Sequence, residues 1–329
     1  MFKKINTILI INAGGGFGDA VQFIPLINWL YKYYPKKKIY YYASDLNNFY
    51  YEKQLKTLIK PNVKVIKNFP LHYGFRLRHF FYSKKLTKLN GLKYFDLIID
   101  SQSKFRNSLI YKRIPHKYYF SSTLRGFFCK PKNSKIKYKK NIIDKILNYL
   151  SYINKKKINL KYEININQTF KKKANQLFKK KNYFGLSLTA GHPTRNKEFN
   201  RNEIIKVIKY FNKKYKPVFF IEKKYVKLIK FIKNKIPNAC FPEHEVEKKY
   251  QNPEFLIALS NQMKFNISID NGVAHLLSLS KSKTFCFYPG NAEKFKPQKS
   301  NFFAYNCKNY DHMQKLKSKN IINFIESNL

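Results

Sequence analysis

Acidic residues are scarce in this chain: 18 Asp and Glu stand against 66 Lys and Arg, leaving a formal net charge of +48. Cysteine is scarcer still. Cys129, Cys240, Cys286 and Cys307 form no Cys-x-x-Cys pair, and their spacing fits neither a zinc site nor a disulfide framework. They are expected to be reduced, as in a cytosolic protein. No apolar run approaches the roughly 18 residues that span a membrane, so any membrane contact is expected to be peripheral. Lys3 and Lys4 precede an apolar stretch, as in a signal peptide, but Asn12 interrupts it and glycines and Asp19 follow. A first β-strand is the better reading. An Asp-x-Asp triplet, a Gly-x-Ser-x-Gly elbow and a P-loop are all absent. The first absence argues against a sugar transferase that holds a divalent ion on its donor, so no metal is expected; no cofactor is expected either.

So basic a chain attracts polyanions: nucleic acid, anionic membrane or phosphorylated substrates. The excess is nearly all lysine beside abundant Asn, Ile, Tyr and Phe, which an AT-rich genome would also encode. Genome bias and a selected basic surface both remain open. The lysine runs at 36–38, 155–157, 171–173 and 179–181 are scattered and belong to no known nucleic-acid module, so nucleic acid is not an expected partner.

At about 150 residues per domain, 329 residues predict two domains. Hydrophobic content of 44% with 17% aromatics predicts a largely aromatic core. Short apolar runs alternate with longer amphipathic ones. Strands are expected at 6–12, 38–43, 63–67 and 95–100, with helices at 19–34 (kinked by Pro25) and 103–113. Residues 130–168 break this rhythm, with one helix near 141–153. The pattern then restarts, with strands at 184–189, 217–222, 264–269 and 283–288. Helices are expected at 200–214, 223–235, 253–262, from 272, and at 311–328. Strand–helix alternation implies parallel sheets covered on both faces. The expected architecture is α/β with two Rossmann-like, doubly wound domains, 1–165 and 166–329, facing a central cleft. The last helix is expected to pack back on the first domain.

Three segments carry candidate chemistry. Gly14–Gly15–Gly16–Phe17–Gly18–Asp19 lies between a strand and a helix, where glycines allow a tight turn and helix amides can meet an anion. As a dinucleotide fingerprint it fails: Asp19 holds the third glycine position, or Phe17 the second if counting starts at Gly15, and only Asp45 follows the second strand. Asp19 suits either helix-end stabilisation or the role of general base. The loop after strand 184–189 offers Thr189, Thr194, Arg195 and Lys197, which suit a diphosphate or simply a solvated loop. In Asp270–Asn271–Gly272–Val273–Ala274–His275, a strand runs into a helix whose start can receive a phosphate or be capped by Asn271. The acidic stretch Glu243, His244, Glu245 and Glu247 lacks metal-ligand spacing.

Taken in order, these segments resemble glycosyltransferase family 9, the ADP-heptose:lipopolysaccharide heptosyltransferases. The likeness runs through ILIINAGGGFGDAVQFIPLINWLYKYYP at 8–35, FDLIIDSQ at 95–102, Lys197 and Phe199 of a "K-x-W" segment, and IDNGVAHLLSLSKSKTFCFYPGN at 269–291. Asn271 stands where the family usually has Thr, Phe199 where it often has Trp, and Lys281–Ser282–Lys283 replaces a glycine-containing turn. The resemblance implies a GT-B fold and a metal-independent, inverting transfer of heptose or a related hexose from a nucleotide diphosphate. Asp19 then matches the catalytic base, with Gly15, Gly16 and Gly18 as the turn near the acceptor. Lys197 matches the phosphate-binding lysine, with Thr194 beside it, and Asp270, Asn271, Gly272 and His275 match the donor-binding signature. The implied acceptor is a lipid-linked anionic envelope glycan such as lipopolysaccharide, met at the cytoplasmic face of the inner membrane. Arg76, Arg78, Lys84 and Lys85, with Phe75, Phe80, Phe81 and Tyr82, are the expected contact with an anionic bilayer. The alternatives are an NAD-dependent oxidoreductase or sugar-nucleotide epimerase, for which Tyr111–Lys112 and Tyr210 lack the Tyr-x-x-x-Lys spacing, and a non-catalytic binding protein of envelope glycans.

Overall fold

A computed structural model of the chain describes residues 4–12, 14–34, 37–59, 63–67, 76–89, 91–132, 139–178, 182–190 and 198–329. The chain divides into two compact units, Met1–Lys161 and Tyr162–Leu329. The division falls a little ahead of the expected one because Tyr162–Asn167 is already bonded into the second unit. The Gln298 amide donates to the Tyr162 hydroxyl, the Ile164 amide to the Leu279 carbonyl, and the Asn167 amide to the Glu254 carboxylate at 2.7 Å.

In chain order the first unit contains β1 (Thr7–Ile11), α1 (Phe17–Val21), α2 (Ile24–Tyr33), β2 (Lys38–Tyr42), α3 (Asp45–Glu52), β3 (Val63–Val65), α4 (Arg78–Leu89), β4 (Phe95–Asp100), α5 (Phe105–Lys112), β5 (His116–Ser121) and α6 (Ile142–Asn154). Its parallel sheet runs β3-β2-β1-β4-β5. Central β1 and β4 are buried along nearly their whole length, as strands covered on both faces are. The expected helix 19–34 is two helices. Pro25 does not kink it but sits in the first turn of α2, where its missing amide N–H costs no bond. Trp29, the sole tryptophan, is buried in α2 with its ring 4.7 Å from Tyr33 and 6.1 Å from Tyr34.

Polar groups at the far end of β4 and β5 form a buried cluster around Asp100. Its Oδ1 accepts from the Gln102 amide at 2.9 Å, and its Oδ2 from the Ser108 and Tyr119 hydroxyls at 2.8 Å each. Burial pushes this carboxyl up to about 6, while those donors pull the other way. Ser108 and Thr123 hydroxyls lie 2.6 Å apart, and Thr123 and Ser122 hydroxyls both donate to the Gln102 carbonyl. Cys129 exchanges hydrogen bonds with Ser121, and burial raises its thiol to about 11. The cluster anchors an unusual turn: Leu124, Arg125 and Gly126 are all left-handed, at φ 47°, 56° and 87°. That conformation costs roughly 1–2 kcal/mol at each non-glycine position.

The second unit comprises α7 (Gln168–Leu177), β6 (Tyr183–Ser187), α8 (Arg201–Asn212), β7 (Lys216–Phe219), α9 (Val226–Lys235), α10 (Pro242–Glu245), α11 (Pro253–Ser260), β8 (Phe265–Ile269), α12 (Gly272–Leu277), β9 (Lys283–Pro289), α13 (Ala292–Phe295), β10 (Phe302–Cys307), α14 (Tyr310–Gln314) and α15 (Ser318–Glu326). Its sheet is also parallel, in the order β10-β9-β8-β6-β7. The expected last helix is split into α14 and α15, and both belong to the second unit. Ile321 and Ile325 are fully buried in the second unit's core, the Ser318 amide donates to Glu203, and the Tyr210 hydroxyl donates to Glu326. Among the described residues no helix is long and apolar enough to cross a membrane.

Gly185, in the middle of β6, is required by space. A Cβ there would lie 2.2 Å from Asn266 Oδ1 and 2.6 Å from the Phe220 ring. Gly185→Ala should therefore lower stability by about 1–3 kcal/mol in urea denaturation. Gly15→Ala, whose Cβ meets only Ser44 Oγ at 3.8 Å, should stay within about 0.5 kcal/mol of the parent.

Candidate functional site

Doubly wound sheets bind ligands at the carboxyl ends of their strands, where the winding direction reverses. In the first unit that reversal lies between β1 and β4, so the turn carrying Asp19 stands at the switch point. Asn12 builds this turn. Its Oδ1 accepts from the Gly14 amide at 3.1 Å, and its Nδ2 donates to the Asp19 carbonyl at 2.9 Å and the Tyr41 hydroxyl at 2.8 Å. Asp19 is half-buried in the first turn of α1, and its Oδ2 accepts from the Gly16 amide at 3.0 Å. The carboxylate thus caps the helix, as the plain structural reading expected, and the same bond fixes its position.

The glycines serve a purpose other than a left-handed turn. Gly16 is extended, at φ −89°, and none of Gly14, Gly15, Gly16 and Gly18 has positive φ. What matters at Gly14 is closeness, because a Cβ there would fall 2.2 Å from the Asp19 Cβ. Gly15 and Gly16 are exposed, so the turn presents bare backbone beside the carboxylate.

In the second unit the winding reverses between β6 and β8. The loop after β6 and the Asp270–His275 segment after β8, far apart in sequence, therefore flank one switch point. Asn271 joins them: its Oδ1 accepts from the Ala274 amide at 2.8 Å, capping α12, while Nδ2 donates to Ser187 Oγ at 2.9 Å and the Thr189 carbonyl at 3.0 Å. Both amide hydrogens are thereby engaged within the fold, so contact with a ligand falls to its backbone. Asp270 and Gly272 are half-buried, and His275 is 9% exposed, one turn into α12. Thr194, Arg195 and Lys197 lie outside the described residues. Phe199 is a core residue, its ring 5.1 Å from Phe287.

Sequence reasoning passed over the end of β7. Glu222, just beyond it, pairs with Lys224 at 2.6 Å. An acidic side chain past the second strand of such a sheet is placed to take ribose hydroxyls. Glu243 lies close by and is half-buried; burial first, and Glu222 second, push its carboxyl up to about 7. His244 approaches the Ile221 carbonyl through Nε2 at 2.6 Å, which ties α10 to the same edge. Among the described residues no group of three or more His, Cys, Asp or Glu side chains is placed to hold a metal ion.

No protein-family model and no curated protein matches the chain in sequence. Solved structures match it over nearly its whole length. A glycosyltransferase family 9 protein from Veillonella parvula gives a TM-score of 0.66 at 16% identity, covering 99% of this chain and 98% of that one. The E. coli heptosyltransferase WaaC, solved with ADP and with ADP-2-deoxy-2-fluoro heptose, gives 0.63 at 13% identity, covering 98% of this chain and 100% of that one. E. coli ADP-heptose lps heptosyltransferase II gives 0.59 at 11% identity, with 98% of each chain covered. The fold is thus that of the GT-B glycosyltransferases. Within that class it has the form seen in family 9 and its heptosyltransferases.

The raised carboxyl of Glu243 sets a pH dependence. Its neutral form suits the folded state, so this contribution is complete below the ordinary glutamate value and is lost as pH rises through about 7. Glu243→Gln should melt together with the parent near pH 4 and at a higher temperature near pH 8, read by differential scanning calorimetry at both pH values. Equal melting at pH 8 would refute the burial cost.

Proposed function

We propose that this protein is a glycosyltransferase that moves a heptose or related hexose from a nucleotide diphosphate, with ADP as the first candidate, to a hydroxyl of a lipopolysaccharide or other envelope glycan. The reading includes inversion at the anomeric carbon and no metal ion. The observation that carries it is the carboxylate of Asp19, fixed by the Gly16 amide over a turn with no room for a side chain at Gly14.

In this proposal Asp19 takes the proton of the acceptor hydroxyl as that oxygen attacks the anomeric carbon. The bond from that carbon to the diphosphate oxygen breaks, and the nucleoside diphosphate leaves with the electron pair. Thr194, Lys197 and the backbone at Asn271–Gly272 receive the developing negative charge, and preplaced donors of this kind usually supply a large catalytic term. Asp270 and His275 complete the donor side, and Glu222 suits the ribose. The acceptor is lipid-linked and anionic, met by a peripheral protein at the cytoplasmic face of the inner membrane.

The same geometry argues against the dinucleotide alternative. In that fingerprint the turn amides face a pyrophosphate. Here the Gly16 amide donates to Asp19, and a pyrophosphate at that place would meet a carboxylate.

Asp19→Ala should lower transfer by about 10²–10⁴-fold while the thermal shift given by ADP-heptose persists. Turnover within a few-fold of the parent would end the base assignment. EDTA should leave the parent's rate unchanged; strong inhibition reversed by magnesium would end the metal-free mechanism.

A further inference from the structure

The shortage of carboxylates is not evenly spread. Residues 53–143 hold 23 lysines and arginines but only two acidic residues, Asp96 and Asp100. Both are buried: Asp96 accepts from the Asn6 and Thr7 amides at the start of β1, and Asp100 is the hub beneath the left-handed turn. Among the described residues this stretch therefore shows solvent cations and no carboxylate. Genome bias adds lysine everywhere; it does not clear acids from one stretch of chain while sixteen remain elsewhere.

Large apolar side chains are exposed in the same stretch. Leu77 is 80% exposed and Phe81 67%, at the start of α4, which packs beside α5. Phe105, the first residue of α5, is exposed, and Leu124 and Phe127 are each 58% exposed on the left-handed turn. Cations surround the turn. Arg125 and Lys104 are exposed, Lys132 Nζ lies 5.3 Å from the centroid of the Phe127 ring, and Lys112 Nζ lies 5.2 Å from that of Phe128. Two non-glycine residues thus hold a strained conformation, braced by a buried cluster, and one of them presents an aliphatic side chain to water. Tyr82, expected to insert into lipid, packs against the first unit's core instead. Phe75 and the side chains of Phe80 and Lys84 lie outside the described residues.

We propose that the Leu124–Phe127 turn, together with Phe105 and the start of α4, docks on an anionic lipid bilayer, with the leucine and phenylalanine side chains entering the interface and Arg125, Lys104 and Lys132 meeting headgroup phosphates. Apolar side chains rimmed by cations are the make-up of interfacial membrane binders. Single-stranded nucleic acid would also accept the cations, but it is gripped through aromatic stacking, and Leu77 and Leu124 have no ring to stack. The inference extends the lipid-linked acceptor proposed above, yet it rests on this surface alone and its test uses no sugar.

The test is co-sedimentation of the full chain with phosphatidylcholine vesicles, with and without about one fifth phosphatidylglycerol. Binding should require the anionic lipid and fall steeply between about 0.05 and 0.5 M salt, as the Debye length shortens. The double substitution Leu124→Asn with Phe127→Ser should weaken it at least tenfold at an unchanged melting temperature, since asparagine accepts left-handed φ. Arg125→Asn, a second variant, should weaken it about five-fold, the worth of one cation near the surface. Absence of vesicle binding at low salt, or binding by the double variant within two-fold of the parent, would overturn the proposal. So would a single-stranded oligonucleotide that displaces the vesicles and loses its own affinity in the same variant, which would assign the surface to nucleic acid.

Discussion

In each unit one asparagine amide organises the strand-to-helix turn that carries the candidate residues. Asn12 follows β1, and Asn271 follows β8. In both, the side-chain oxygen accepts a backbone N–H a few residues on, while the nitrogen donates across to another segment: the Asp19 carbonyl and Tyr41 hydroxyl in one case, Ser187 and Thr189 in the other. A parallel sheet ends its strands in buried, polar surroundings, and each backbone group left there needs a partner. An asparagine supplies both donors and an acceptor without charge. With the backbone thus satisfied, Asp19 and Asp270 stand at fixed backbone positions.

Topology does the rest of the assembly. The first sheet follows the 3-2-1-4-5 order and the second, counted from its own first strand, the 2-1-3-4-5 order; both are doubly wound, and each reverses beside its first strand. Residues 187–189 and 268–275 are distant in sequence, but the reversal makes their strands neighbours. The placement of the candidate residues within each unit therefore follows from strand order before any side chain is considered.

The sequence was most legible where burial was greatest. The FDLIID run was read as a strand with the bounds the structure gives it. The edge strands β5 and β10 were missed, because their lysine, histidine and asparagine disguise runs that are half open to solvent. Helices α3, α4 and α7 were missed because polar residues dilute their apolar faces. At the site, residue types pointed to Asp19 and Asp270–His275, but not to the reason for the glycines. The closeness of Asp19 to Gly14, which leaves no space for a Cβ, arises only when the turn is folded. The sequence allows Asn271 to be a ligand contact or a cap of α12, and only the structure shows its amide joining β6 to α12. The even scatter of lysines hid the missing acids of residues 53–143, a pattern visible only when the buried carboxylates are set aside.

The burial of Trp29 has an optical consequence. As the chain's sole tryptophan it sits in α2 of the first unit, shielded and flanked by Tyr33 and Tyr34. Indole emission thus senses the half that carries the glycine turn. The other half, with its dense stack of phenylalanines and no indole, is dark at the same wavelength. Fluorescence therefore follows the first unit alone, while far-ultraviolet dichroism sums both, and any mismatch between the two melting curves measures how far the halves unfold independently.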